Sequence, residues 1–71
     1  MLNADLLKEK ISAAGYTIAG VSVDLEMDIS TFYRKIGGAS VFSIDDVYKM
    51  KRLLNLSSED AESIFFAENL A

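Results

Sequence analysis

Histidine and cysteine, the side chains that most often carry acid–base or nucleophilic chemistry near neutral pH, are both absent from this chain. A nucleophile would have to be a serine or threonine activated by a lysine or a carboxylate, and no spacing points to such a pair. An enzyme is therefore not expected. Disulfides and sulfur- or imidazole-ligated zinc are excluded too, so any metal would need oxygen ligands alone. Asp24, Glu26 and Asp28 alternate as the acids that open a calcium loop do. Such a loop then needs a glycine and, at its twelfth position, a bidentate glutamate; Ile29 and Lys35 hold those places. Gly15 and the pair Gly37–Gly38 build no phosphate-cradling pattern. No metal, cofactor or small-molecule ligand is expected.

The remaining polar chemistry suits recognition, and charge limits what can be recognised. The 71 residues carry a net charge of −4, which argues against a general polyanion binder, because non-specific DNA affinity rises with the number of phosphates neutralised. All seven bases (Lys8, Lys10, Arg34, Lys35, Lys49, Lys51 and Arg52) lie in residues 1–56 beside seven acids. Residues 57–71 hold Glu59, Asp60, Glu62 and Glu68 and no base, so the whole negative balance belongs to the end of the chain. At 51% apolar and 25% charged the composition is that of a globular domain. No apolar run approaches the roughly 20 residues of a membrane span, and no signal-peptide pattern opens the chain. A single domain over 1–71, without a membrane partner and placed in a reducing cytoplasm, is expected.

Punctuation divides the chain into five short helices. Asn3 can cap a first helix in which Leu7, Ile11 and Ala14 recur at helical spacing, and Gly15 is a left-handed stop. Thr17 caps a second, Ile18 to Leu25, with Ile18, Val21 and Leu25 on one face and Gly20 inside it, a glycine that admits another helix or is merely tolerated. Asp28 caps a third running to Ile36, ended by Gly37–Gly38. Ser43 to Asp46 has the shape of a capping box with a short acid at its last position. It opens a fourth helix with Ile44, Val47 and Leu54 as a stripe, Met50 beside it, and Asn55 as its stop. Ser57 or Ser58, followed by Glu59 and Asp60, starts a fifth carrying Ala61, Ile64 and Phe65, with a tail completing residues 57–71. Alternation that would suggest strands is weak, around 18–23 and 40–44 only. The expected fold class is all-α, a compact bundle of about five short helices.

The second and third helices are separated by about three residues, the geometry of a helix-turn-helix. The run TIAGVSVDLEMDISTFYRKIGG, Thr17 to Gly38, resembles the lambda-repressor/Cro-like helix-turn-helix family, especially its small phage members. Thr17, Ile18, Val21, Ser22, Leu25, Met27, Ser30 to Ile36 and Gly38 fall on the family pattern. Phe42 to Ile44, Leu54 to Ser57 and Ile64 to Phe66 look like its later helices, so the resemblance covers nearly the whole chain. It implies a lambda-repressor-like fold with a helix-turn-helix at about 17–37, and a sequence-specific transcriptional regulator, repressor- or Cro-like, in a bacterial host cell. The third helix would enter the major groove of a double-stranded operator. Arg34 would pair with a guanine, Ser30 with either partner and Ile29 with a thymine methyl, while Tyr33 would touch sugar or phosphate. Lys35 is implied as a phosphate contact, Thr31 shares the recognition run, and the helix starts near Thr17 and Ser40 offer amides to phosphate. A homodimer would use Phe65, Phe66 and Leu70, because Phe65 and Phe66 cannot both face the core.

Three departures from the family pattern matter. Glu26 stands where the turn usually has glycine, and Asp24 and Ile29 stand where bases are common. Asp24, Glu26 and Asp28 would then lie near the DNA side. The alternative reading that this keeps open is a helix-turn-helix scaffold that binds a protein, such as an antirepressor, and not DNA.

Overall fold

Four of the five helix starts among the described residues are secured by side chains. The computed structural model describes residues 2–66, and it places five helices there: α1 (Ala4–Ala13), α2 (Ile18–Asp24), α3 (Ile29–Ile36), α4 (Ile44–Leu53) and α5 (Ser58–Phe65). Among the described residues there is no strand, and the weak alternation at 18–23 and 40–44 comes to nothing. Asn3 accepts from the Leu6 amide at 3.1 Å and Thr17 from the Gly20 amide at 3.0 Å. Ser43 with Asp46, and Ser57 with Asp60, form complete capping boxes in which each side chain meets the other residue's backbone amide. The second box makes Ser57, rather than Ser58, the cap of α5.

The helix ends are equally regular. Gly15, Glu26, Gly38 and Asn55 all have left-handed backbones, at φ of +82°, +56°, +91° and +54°. Each follows the capping residue of α1, α2, α3 or α4. Around Glu26 the Glu26 amide donates to the Val23 carbonyl and the Met27 amide to the Ser22 carbonyl, both at 2.9 Å. The same two-bond pattern recurs at Gly15–Tyr16, Gly38–Ala39 and Asn55–Leu56. This is the Schellman motif, which reverses the chain while satisfying the last carbonyls. Glu26, out of keeping with the family pattern, therefore adopts the glycine conformation without the glycine.

The turns fold the helices around one core. Leu7, Ile11, Val21, Leu25, Phe32, Ile36, Met50, Leu54, Leu56 and Ile64 are buried, and Phe32, Met50 and Ile64 are entirely so. Phe32 meets the Phe42 ring edge-on at 5.6 Å, and Phe42 meets Phe65 at 6.0 Å. The N-terminal segment is tied to α5 by the Asn3 amide, which donates to the Ile64 carbonyl at 2.7 Å, and by Lys10 with Asp60 at 3.5 Å. Ser22 is buried, and its hydroxyl donates to the Ala19 carbonyl at 2.7 Å, so its burial leaves no unsatisfied hydroxyl; α3 packs on α2.

Three details differ from the sequence reading. Ile44 is exposed while Met50 fills the core, because α4 faces inward along Met50 and Leu54. Ala14 is exposed at the end of α1 and adds nothing to the Leu7–Ile11 face. Gly20 does not admit a second helix: a β-carbon there would stand 3.3 Å from the Thr17 hydroxyl and 3.7 Å from the Tyr16 ring, so the helix's own cap sets its size.

The left-handed turns yield a paired expectation. Glu26→Gly should stabilise the fold by up to about 1 kcal/mol, and Gly38→Ala, which has open space but the wrong φ, should cost about the same. Urea unfolding of the two variants measures both. A destabilised Glu26→Gly together with a neutral Gly38→Ala would show that these conformations carry no strain.

Candidate nucleic-acid interface

The outward face of α3 is built by the burial of its inner one. Phe32 and Ile36 anchor the helix in the core. Helical spacing then turns Ile29, Ser30, Tyr33 and Arg34 to water as a continuous strip, and all four are exposed. Asp28 occupies the N-cap position with extended backbone, yet its side chain makes no capping hydrogen bond, contrary to the role read from the sequence. Its carboxylate is exposed at the positive end of the helix, where the macrodipole favours it.

Arg34 donates weakly through Nη2 to the Thr31 hydroxyl at 3.4 Å, one turn back. Thr31 is half-buried and serves Arg34 as a rest. No carboxylate among the described residues lies within ion-pairing distance of Arg34. The guanidinium keeps most of its five donors available.

Lys35, read from the sequence as a phosphate contact, does not lie on this strip and is paired with another helix. Its Nζ donates to Asp46 Oδ2 at 3.0 Å and stands 5.7 Å from the centre of the Phe42 ring. The side chains of the pair are only 18% and 12% exposed. Lys35 lies one step from Ile36 on the flank of α3 that meets the start of α4, where Asp46 is already turned back by the capping box. Asp46 also accepts from the Ser43 amide at 3.1 Å. Burial is the largest single influence on this carboxyl and opposes its charge. Lys35 and the Ser43 amide and hydroxyl together outweigh it, so Asp46 titrates below its ordinary value of 3.8.

The acids expected beside the contact face are partly offset. Asp24 and Glu26 line a shallow cleft with Lys49 and Arg52 of α4. Lys49 also pairs with Asp45 at 3.3 Å. Thr17 is exposed but its hydroxyl is engaged in capping α2. Ser40 is exposed in the connection before α4 and lines a groove with Val41, Ile44 and Phe66. Neither shares a hydrogen bond with the α3 strip. Of the proposed dimer residues, Phe65 is half-buried against Phe42, Phe66 is exposed, and Leu70 lies outside the described residues.

Asp46 was the residue that the sequence reading missed as Lys35's partner. Eleven residues separate the two, a spacing that only the α3–α4 packing turns into contact. Among the described residues no group of three or more acids is placed to hold a metal ion, and no helix is long and apolar enough to cross a membrane. No protein-family model, no curated protein and no solved structure matches the chain.

The Lys35–Asp46 clamp makes stability depend on pH. A folded-state pKa below the unfolded one contributes stability that is present above the unfolded value and lost as pH falls through the folded value. Melting temperature should therefore drop on acidification below about pH 4, and Asp46→Asn should flatten that drop while costing about 1–2 kcal/mol at neutral pH. Lys35→Ala should destabilise comparably. Thermal melts from pH 7 to 2.5 would contradict the assignment if wild type and Asp46→Asn kept parallel profiles.

Proposed function

We propose that the chain is a sequence-specific DNA-binding regulator in which α2 and α3 act as a helix-turn-helix and α3 lies in the major groove. The observation that carries this reading is the strip Ile29, Ser30, Tyr33 and Arg34, exposed together on a helix whose other face is locked in the core. The resemblance of residues 17–38 to lambda-repressor/Cro-like proteins supports it. So does the short connection at residues 25–28, which the Schellman turn holds rigid.

Each side chain has a physical task in that reading. Arg34, rested on Thr31, offers a forked pair of donors matching guanine O6 and N7. Ser30, in the first turn, donates to or accepts from a base edge. Ile29 presents a methyl surface to thymine. Tyr33 hydrogen-bonds a phosphate or packs on sugar, which positions the helix without reading sequence. The backbone contribution is small, because Lys35 is withdrawn.

That withdrawal favours one competing reading. It leaves Arg34 as the base on an outward face that also shows Ile29 and Tyr33, in a chain of net charge −4. A protein partner, engaged through the same strip, would suit such a face. Salt separates the two readings, because each neutralised phosphate contributes about −0.9 to the slope of log K against log salt.

Selection from random duplexes at low salt should enrich one sequence. Arg34→Ala should weaken binding to it by about 1–3 kcal/mol, roughly ten- to hundredfold, and relax the preference at one base pair. Lys35→Gln should leave the salt slope nearly unchanged. Absence of any enriched sequence, with no duplex bound below ~10 µM, would remove the DNA reading in favour of the protein partner.

A further inference from the structure

Lys10, Lys35 and Lys49 are each held by a carboxylate, and the three holds are unequal. Lys10 with Asp60, at 3.5 Å, and Lys49 with Asp45, at 3.3 Å, are surface pairs whose side chains are at least 33% exposed. Pairs of that kind contribute little and give way readily to another anion. Lys35 and Asp46 are closer, at 3.0 Å, and sheltered from water. Among the described residues Asp46 is the one carboxylate within ion-pairing distance of Lys35.

The carboxylate is oriented without help from the lysine. Asp46 Oδ2 accepts from the Ser43 amide, and the Asp46 amide donates to the Ser43 hydroxyl, both at 3.1 Å. The Phe42 ring also stands near the ammonium, and its own edges meet Phe32 and Phe65. An ammonium held by a fixed carboxylate beside an aromatic ring loses more on leaving than an exposed one does. Its stem nevertheless starts close to the contact face. Four residues after Thr31, Lys35 lies about 40° round the helix from the residue on which Arg34 rests. Unheld, its four-carbon stem would carry a charge to the edge of the strip, where the phosphate backbone passes a helix seated in a groove.

We propose that Asp46 is a positioning residue for DNA binding: by holding Lys35 off the duplex it removes one phosphate contact and lowers the salt dependence of the α3 strip. The inference rests on the DNA reading given above. A phosphate contact strengthens every sequence alike, whereas contacts to base edges discriminate. With Lys35 held, recognition falls on Arg34 and its exposed neighbours. The capping box of α4 thus has two duties. It starts its own helix, and it sets the charge that α3 shows to a duplex.

Salt titrations of binding to the duplex enriched from the random pool, and to a scrambled duplex of the same composition, test this. Asp46→Asn and Asp46→Gln remove the charge but keep an oxygen for the Ser43 amide, and glutamine is itself a usual capping-box residue. Each should steepen the slope of log K against log salt by about 0.9, the share of one phosphate, on both duplexes. The gain in affinity over wild type should then be about eightfold larger at ~0.1 M salt than at ~1 M. Asp46→Glu, which keeps the charge, should retain the wild-type slope, and adding Lys35→Gln to either neutral variant should restore it. A purely structural Asp46 would lower affinity in step with melting temperature and leave the slope alone. Thermal melts show which variants keep the fold, and either neutral variant suffices for the comparison. A wild type that binds with a slope unmoved by the neutral substitutions, or a steepening that survives Lys35→Gln, overturns the proposal and leaves the DNA reading standing. No duplex bound by wild type or by the neutral variants removes both.

Discussion

No described helix in this chain exceeds ten residues, and a helix that short is marginal in water because its nucleus costs more than its few hydrogen bonds return. Everything else follows from that constraint. Each helix must be started by a side chain or a favourable charge, stopped within one residue, and turned so that its apolar face reaches a common core. The capping boxes at Ser43 and Ser57 and the left-handed residues after α1, α2, α3 and α4 meet the first two demands. Phe32 meets the third, since its ring is the place where α3 is pinned into the core and against Phe42.

The same constraint explains why a glutamate is tolerated in a left-handed turn. A stop one residue later would carry Met27 and the start of α3 off the core, and Phe32 with them. The local strain at Glu26 is of order 1 kcal/mol, whereas exposing a buried phenylalanine costs about 1.5–3 kcal/mol. Packing wins. The clamp between Lys35 and Asp46 then secures the far end of α3, at the expense of a positive charge on the outward face.

Much of this order was legible in the sequence. Asn3, Thr17 and Ser43 announce helix starts through their side-chain chemistry, and Gly15, Gly38 and Asn55 announce stops through their freedom at positive φ. Leu7, Ile11, Val21 and Leu25 recur at helical spacing and are buried as their periodicity implies. The strip Ile29, Ser30, Tyr33 and Arg34 was legible for the same reason, being what remains once Phe32 and Ile36 turn inward. Less legible was α4. Its apolar residues fit two stripes, Ile44–Val47–Leu54 and Met50–Leu54, and period alone does not choose between them.

Local chemistry thus determined where helices begin and end, because capping and turn preferences act over three or four residues. It also determined the class of the fold, because apolar periodicity and the lack of alternation leave room for little but helices. Only the tertiary structure decided which charges are available. Lys35 and Arg34 are neighbours in sequence and of the same sign, yet one is held by Asp46 from another helix and the other faces water. That difference comes from contacts between elements brought together by the core, and no window of sequence contains them.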